Sequence, residues 1–228
     1  MSGMRGRFIT FEGGEGSGKS TQIALLAERL RAFGIDLHLT REPGGSPGAE
    51  IIRHVLLAGA GKPFGAEAEA ILFAAARDDH VTSVIRPTLE RGAWVLCDRF
   101  IDSTRVYQGV LGGVDRAFIH GLERLTVGDT RPDLTFVLDV PAKTGLKRAA
   151  KRRGKAAADR FETEALDFHQ KLREAYRDLA EAEPERCVLI NARASKDEIA
   201  EQVWNSVLAR LKPEPVLGDA LMKKEASV

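Results

Sequence analysis

The chain has 228 residues, 43% hydrophobic and 29% charged, with 34 Lys plus Arg set against 33 Asp plus Glu and a formal net charge of +1. That is the balance of a soluble globular protein with one substantial core, and it excludes a chain-wide signal for nucleic acid or a membrane surface. No apolar run approaches the ~20 residues of a membrane span. Cys97 and Cys187 stand far apart and form no metal-ligand pattern, so reduced core thiols of a cytoplasmic protein are expected.

Residues Arg7 to Glu12 (Arg-Phe-Ile-Thr-Phe-Glu) predict a first strand, entered so early that no signal peptide is expected. Gly-Gly-Glu-Gly-Ser-Gly-Lys-Ser follows at 13–20, a complete GxxxxGK[ST] loop. Ile23, Leu26, Ala27 and Leu30 then recur at helical spacing up to Phe33, and Gly34 supplies a stop. Strand, glycine loop and helix form the context in which this motif binds a nucleoside triphosphate. The glycines let backbone N–H groups converge on phosphate oxygens at a helix N-terminus. Lys19 is expected at the β- and γ-phosphates and the Ser20 hydroxyl on Mg²⁺. The nucleotide set is therefore Gly13, Gly14, Glu15, Gly16, Ser17, Gly18, Lys19, Ser20 and Thr21. Glu15 is out of place there, because phosphates repel a carboxylate unless a second group sits nearby.

Four more strands are predicted at Leu37–Thr40, Trp94–Cys97, Leu134–Leu138 and Cys187–Ile190. Helical patterns lie between them, at about 48–58, 66–91, 114–127, 142–152, 162–183 and 195–211. The last three strands are nearly continuous apolar runs, as in parallel strands covered on both faces. The expected class is α/β, a P-loop NTPase-type three-layer sandwich on a five-stranded parallel sheet. One domain is expected over 1–212, with a lid at about 147–161 and a tail at 213–228.

In such sheets ligands gather at the carboxyl ends of the strands. After the second strand, Arg41 precedes Glu-Pro-Gly-Gly and offers a guanidinium to a phosphate. After the third, Asp98 resembles the acidic strand end that holds Mg²⁺ in P-loop enzymes, with Arg99 beside it as a second anion clamp. Asp139-Val140-Pro141 reads mainly as a helix start. Asn191 to Ser195 lines the base end of a triphosphate through Arg193, or simply caps the last helix with Ser195 and Glu198.

Residues 147–160 carry Lys147, Arg148, Lys151, Arg152, Arg153, Lys155 and Arg160 against one acid, Asp159. No aromatics interleave them, which counts against a nucleic-acid patch. A lid that closes arginines over the transferring phosphoryl group fits better than a solvated helix end, because Gly16 leaves the loop without an arginine of its own. Two arginines facing a second phosphate suit an acceptor that is itself a phosphate monoester, which is largely anionic near neutral pH and needs no general base.

Taken together, these residues resemble a nucleoside monophosphate kinase, most closely the bacterial thymidylate kinase family. The marks are Phe-Glu-Gly-Gly-Glu-Gly-Ser-Gly-Lys-Ser at 11–20, Thr-Arg-Glu-Pro-Gly-Gly at 40–45, Phe-Ala-Ala-Ala-Arg at 73–77, Asp-Arg-Phe at 98–100 and Ser-Thr-Arg-Val-Tyr-Gln-Gly at 103–109. Arg-Pro-Asp-Leu-Thr at 131–135 and Leu-Asp-Val at 138–140 continue them. The resemblance implies transfer of the ATP γ-phosphate to dTMP with Mg²⁺, in dTTP biosynthesis, by a homodimer. It implies that Glu15 binds the deoxyribose 3′-hydroxyl, that Arg41 and Arg99 hold the dTMP phosphate, and that Phe73 stacks on thymine. Arg77 is then on the O4 edge, Ser103, Thr104 and Gln108 near the base, and Tyr107 where a 2′-hydroxyl would be crowded. A loop glycine with a basic lid resembles the subgroup whose lid supplies the catalytic arginine, here among Arg152, Arg153 and Arg160, with Arg148 against adenine. Phe100 replaces a frequent Tyr or His, and Lys155-Ala-Ala-Ala lengthens the lid.

Three other readings compete. A deoxynucleoside kinase would use Glu15 as a base on a sugar hydroxyl. A GTP-hydrolysing switch lacks its Asn-Lys-x-Asp motif here. A nucleic-acid-stimulated ATPase would be built around 147–160.

Overall fold

A computed structural model describes residues 5–154 and 161–214. Lys155, Asp159 and Arg160 of the expected lid, and all but the start of the expected tail, lie outside the described residues.

Strand β1 (Phe8–Glu12) passes through the glycine loop into α1 (Lys19–Ala32), and β2 (Leu37–Arg41) leads to α2 (Pro47–Leu57), α3 (Gly65–His80) and α4 (Arg86–Glu90). Strand β3 (Trp94–Asp98) is followed by α5 (Ile101–Thr104) and α6 (Arg116–Thr126), and β4 (Leu134–Asp139) by α7 (Ala142–Arg153) and α8 (Leu166–Ala182). Strand β5 (Cys187–Asn191) and α9 (Lys196–Leu211) complete the order. The sheet runs β2-β3-β1-β4-β5 with every pairing parallel. The α/β class and the five strands stand as the sequence indicates.

Alternation along β1 sends its side chains into two helical layers. Ile9 and Phe11 pack with Ile23, Leu26 and Leu30 of α1 and with Val203 and Val207 of α9. Phe8 faces the other way, onto Val81, Ile85, Leu89 and Phe100. Phe8, Phe11, Phe100 and Phe136 are all wholly buried, and each contributes about 2–3 kcal/mol of transfer free energy. Thr10 and Glu12 share the face of Phe8 and are buried too. Thr10 meets its need by bonding the Thr135 hydroxyl at 2.7 Å. Glu12 thus ends β1 under the α5 and α8 layer, beside the glycine loop.

Two segments depart from the periodic reading. The helix expected over 66–91 starts one residue earlier but passes through a wider π turn at Val81–Ile85 before α4. Pro87 follows this turn; its ring and missing N–H do not fit a regular helix interior, and the widened turn accommodates both. The other is α5 with the π turn Arg105–Leu111, a helical stretch that the sequence reading did not mark. Its buried apolar residues enter different parts of the core, Ile101 beside Phe8 and Val106 beside Val137 and Tyr176, and so form no single periodic stripe. Ser195 and Glu198 do form the expected capping box at α9. No helix among the described residues is long and apolar enough to cross a membrane.

Candidate active site

The glycine loop is packed backbone to backbone against α7. Gly13, Gly16 and Gly18 have φ of 128°, 64° and 101°, conformations that side-chain-bearing residues rarely adopt. A Cβ on Gly16 would lie 2.1 Å from the Gly145 carbonyl oxygen, and one on Gly145 would lie 2.3 Å from that of Glu15. Position 16 therefore has no room for a side chain, so an arginine for the phosphates must come from another element. Lys19 Nζ donates to the carbonyls of Gly13 and Gly14, both at 3.1 Å. Burial, with Arg99 nearby, lowers the pKa of Lys19. The Ser20 hydroxyl donates to Asp98 Oδ2 at 2.9 Å, which brings the two expected metal ligands together.

A cavity of about 310 Å³ opens beside this loop. All nine residues expected to contact an acceptor line it: Glu15, Arg41, Phe73, Arg77, Arg99, Ser103, Thr104, Tyr107 and Gln108. So do Gly16, Ser17, Gly18, Lys19, Ser20, Asp98 and Arg152. The wall also includes Arg53 and Leu57, which the sequence reading missed. They stand one turn apart on α2, and a cation in that apolar helix was the available signal. Arg53 donates to the Pro43 carbonyl.

Arg99 is the hub of the site. It follows β3 in the left-handed region, with φ of 69°, an uncommon state for a non-glycine residue and frequent at functional positions. Its backbone N–H is held by Phe11 O at 2.9 Å. Its Nη2 donates to Glu15 Oε1 at 2.6 Å, its Nη1 donates to the Tyr176 hydroxyl at 3.2 Å, and its guanidinium lies 5.4 Å from the Tyr107 ring centroid. Burial alone would raise the pKa of Glu15, but Arg99, Lys19, Arg152 and His169 together bring it below the ordinary value. The group that balances Glu15 beside the glycine loop is thus the Arg99 guanidinium.

Arg77 also finds a partner. It is 3% exposed, and its Nε donates to Glu42 Oε2 at 2.8 Å. Its Nη2 reaches Thr104 Oγ1 at 3.0 Å and Phe100 O at 3.2 Å. The guanidinium stacks over the Phe100 ring at 5.3 Å, so the phenylalanine in the Asp-Arg-Phe motif serves as its floor. His80 Nδ1 lies 3.1 Å from Glu42 Oε1, and His80 Nε2 lies 2.7 Å from Thr40 Oγ1. Arg41, half-exposed on the rim, pairs with Glu50 at 2.9 Å.

The described part of the lid separates its arginines. Arg153 is ion-paired with Glu162, and Arg152 lies 3.9 Å from the same carboxylate while lining the cavity. Arg148 Nη1 donates to Ala192 O at 3.0 Å, which ties α7 to the loop after β5. Arg193 is exposed in that loop, and Thr21 is exposed on α1. Asp139 does not cap the helix that follows; Pro141 stands at that cap. Its carboxylate instead receives Arg173 Nε at 2.6 Å and Arg177 Nη1 at 3.2 Å, anchoring α8 to β4.

With this geometry in place, a family model described as thymidylate kinase matches residues 11–203. The chain belongs to the thymidylate kinase family. It is accordingly a nucleoside monophosphate kinase, a phosphotransferase. Thymidylate kinase of Afipia carboxidovorans is 63% identical over 207 residues, covering 91% of each chain. That of Nitrobacter winogradskyi is 61% identical over 219 residues, 96% of this chain and 94% of its own. A crystal structure of thymidylate kinase from Ehrlichia chaffeensis superposes with a TM-score of 0.72 at 33% identity, over 89% of this chain and 99% of that one. The thymidylate kinase match spans the glycine loop, all nine residues expected to contact an acceptor, and Arg152.

Proposed function

We propose that the enzyme transfers the γ-phosphate of ATP to dTMP, giving dTDP and ADP for dTTP synthesis. The observation that carries this reading is one cavity lined both by the glycine loop with Lys19 and by Phe73, Arg77 and Gln108. Lys19 and the loop N–H groups bind the ATP phosphates. Arg99 and Arg41 grip the acceptor phosphate, with Glu15 at the deoxyribose. Phe73 and Arg77 read the base with Ser103, Thr104 and Gln108, and Tyr107 packs beside the sugar. Arg152, Arg153 or Arg160 supplies the catalytic charge, while Arg148 and Arg193 flank adenine.

Ser20 and Asp98 offer a hydroxyl and a carboxylate 2.9 Å apart. These hard oxygen donors suit Mg²⁺, which takes few protein ligands and fills its shell from water and phosphate oxygens. When bound, the ion neutralises phosphate charge as the phosphoryl group moves. A cytoplasmic homodimer is part of this reading. Exposed Ile51 and Val55 on α2, Ile71 on α3 and Leu125 on α6 support a self-association face, because α3 packs against both other helices. One kinase domain over 1–212, with a lid at about 147–161, is also part of this reading; the described strands form one five-stranded sheet, as one domain would have.

A coupled ADP-release assay across nucleoside monophosphates, thymidine and DNA tests the reading. We expect dTMP to be the preferred acceptor. A preference for thymidine would make the protein a deoxynucleoside kinase, and DNA-stimulated hydrolysis without dTMP phosphorylation would overturn both.

A further inference from the structure

Glu12 ends β1 as a wholly buried carboxylate. A group of this kind persists only where its lone pairs are satisfied. Its Oε1 accepts the backbone N–H of Phe100 at 2.7 Å and of Ser103 at 3.3 Å. Its Oε2 accepts the hydroxyls of Ser103 at 2.7 Å and of Tyr176 at 2.9 Å. Those two hydroxyls are also the acceptors for Arg99 Nη1, at 3.4 Å and 3.2 Å. A hydroxyl has one proton and two lone pairs. The two hydroxyls also lie 2.9 Å from each other, so one proton is shared between that contact and Glu12; when both protons point to Glu12, both hydroxyls turn lone pairs toward Arg99.

We propose that Glu12 is a positioning residue, which fixes the Arg99 guanidinium for the acceptor phosphate through Tyr176 and Ser103. This rests on the reading that Arg99 holds that phosphate. The network gives the two ends of the guanidinium separate duties. Nη2 meets Glu15 in the cavity wall and faces the substrate side. Nη1 is tethered from beneath, so the arginine keeps its aim when an anion competes with Glu15 for Nη2. Glu12 also holds the backbone of Phe100, the residue after Arg99, and so supports the left-handed turn that directs the arginine into the cavity.

The tether depends on Glu12 being ionised. Burial, with Asp102 of α5, raises its pKa to about 7, against the opposing pull of Arg99 and of bonds from Ser103 and Phe100. Lys19 of α1, Tyr176 of α8, Cys97 of β3 and Cys187 of β5 are the other titratable groups coupled to it. A protonated Glu12 carries a proton of its own and no longer accepts both hydroxyls, which loosens Nη1.

The test is steady-state kinetics of wild type, Glu12→Gln, Tyr176→Phe and Arg99→Ala, with KM for dTMP and for ATP measured from about pH 6 to about pH 9 to bracket the ionisation. For Glu12→Gln we expect KM for dTMP to rise about tenfold with KM for ATP near wild type, the loss of one charge-assisted bond. Wild-type kcat/KM for dTMP should fall through an enzyme ionisation near that of Glu12, distinct from the substrate phosphate step at about 6, and Glu12→Gln should abolish only the enzyme step. Tyr176→Phe, which keeps the core volume, should move KM for dTMP in the same direction by less, and it carries the test if Glu12→Gln fails to fold. A Glu12→Gln enzyme with lowered Tm but unchanged KM for dTMP and unchanged pH profile makes Glu12 a plain structural carboxylate and overturns the proposal. Parallel rises in both KM values overturn it equally. If Arg99→Ala leaves KM for dTMP at the wild-type value, the acceptor reading of Arg99 has failed; if it raises that KM while Glu12→Gln does not, only the role of Glu12 has.

Discussion

Arg99 Nη2 lies 2.6 Å from Glu15 Oε1, and the two side chains are almost equally shielded, at 16% and 15% exposure. This pair joins the strand that ends in Asp98 to the loop that holds Lys19. It resolves the conflict of a carboxylate among phosphate-binding groups, because the acid is balanced before any phosphate arrives. It also places a cation of the cavity wall within one side chain of the glycine loop, the closeness that the proposed in-line transfer between two phosphates requires.

Arg99→Ala removes both the proposed acceptor clamp and the partner of Glu15. Truncating one member of a shielded pair costs about 2–5 kcal/mol where the pair binds ligand. We expect kcat/KM for dTMP to fall by at least about a hundredfold, with KM for ATP changed little. Steady-state kinetics with each substrate varied in turn checks this. A collapse of ATP affinity instead would place Arg99 on the donor side.

Asp139 gives a pH test of stability. Hydrogen bonds from Arg173, with Arg177 adding charge, hold its pKa below the ordinary value against burial. A carboxylate with a depressed folded pKa contributes stability that is present above its unfolded pKa of about 3.9 and lost as pH falls through the folded value. Asp139→Asn should therefore lower stability at neutral pH by on the order of 1 kcal/mol, since the arginines are partly exposed. The gap from wild type should close as pH falls through the lowered folded value. Thermal melts across that range decide it, and a gap independent of pH would assign the effect to something other than the charge.

The strands, the glycine loop and the strand-end residues were legible because each has a local signature: apolar runs, fixed glycine spacing, and a charge directly after a run. The segment 101–111 was not, because its buried Ile101 and Val106 enter different core clusters and leave no single apolar stripe for a 3.6-residue template to detect. Arg77 and Glu42 are 35 residues apart and meet only through tertiary packing. Glu12 could be quoted as part of a motif, yet nothing local shows that Tyr176, 164 residues away, donates to it. Gly145 carries no sequence signal at all; its importance comes from the loop backbone that it touches.

Gly145→Ala tests that contact. The added Cβ would sit 2.3 Å from the Glu15 carbonyl oxygen, a backbone atom that cannot swing aside. Overpacking of this kind costs about 1–3 kcal/mol, and relief must displace either α7 or the loop. We expect a lower Tm together with weaker ATP binding, read by titration calorimetry with a non-hydrolysable analogue. A stable variant with wild-type ATP affinity would show that α7 moves freely against the loop.

The Arg77–Glu42 pair is the most buried ion pair lining the cavity, at 3% and 5% side-chain exposure. Removing Arg77 strips Glu42 of its buried guanidinium partner and keeps the His80 Nδ1 contact, and an uncompensated buried charge costs about 3–5 kcal/mol. Arg77→Met should therefore lower stability by that order, and Glu42→Gln should cost less because its amide still bonds Arg77. The double variant should be less destabilised than the sum of the singles, since neither charge is then stranded. Denaturant melts of the four proteins measure this coupling. Kinetics on the same set separate structure from recognition: if Arg77 reads the base, Arg77→Met raises KM for dTMP even at temperatures where the fold is intact, whereas Glu42→Gln, which retains the guanidinium, raises it less.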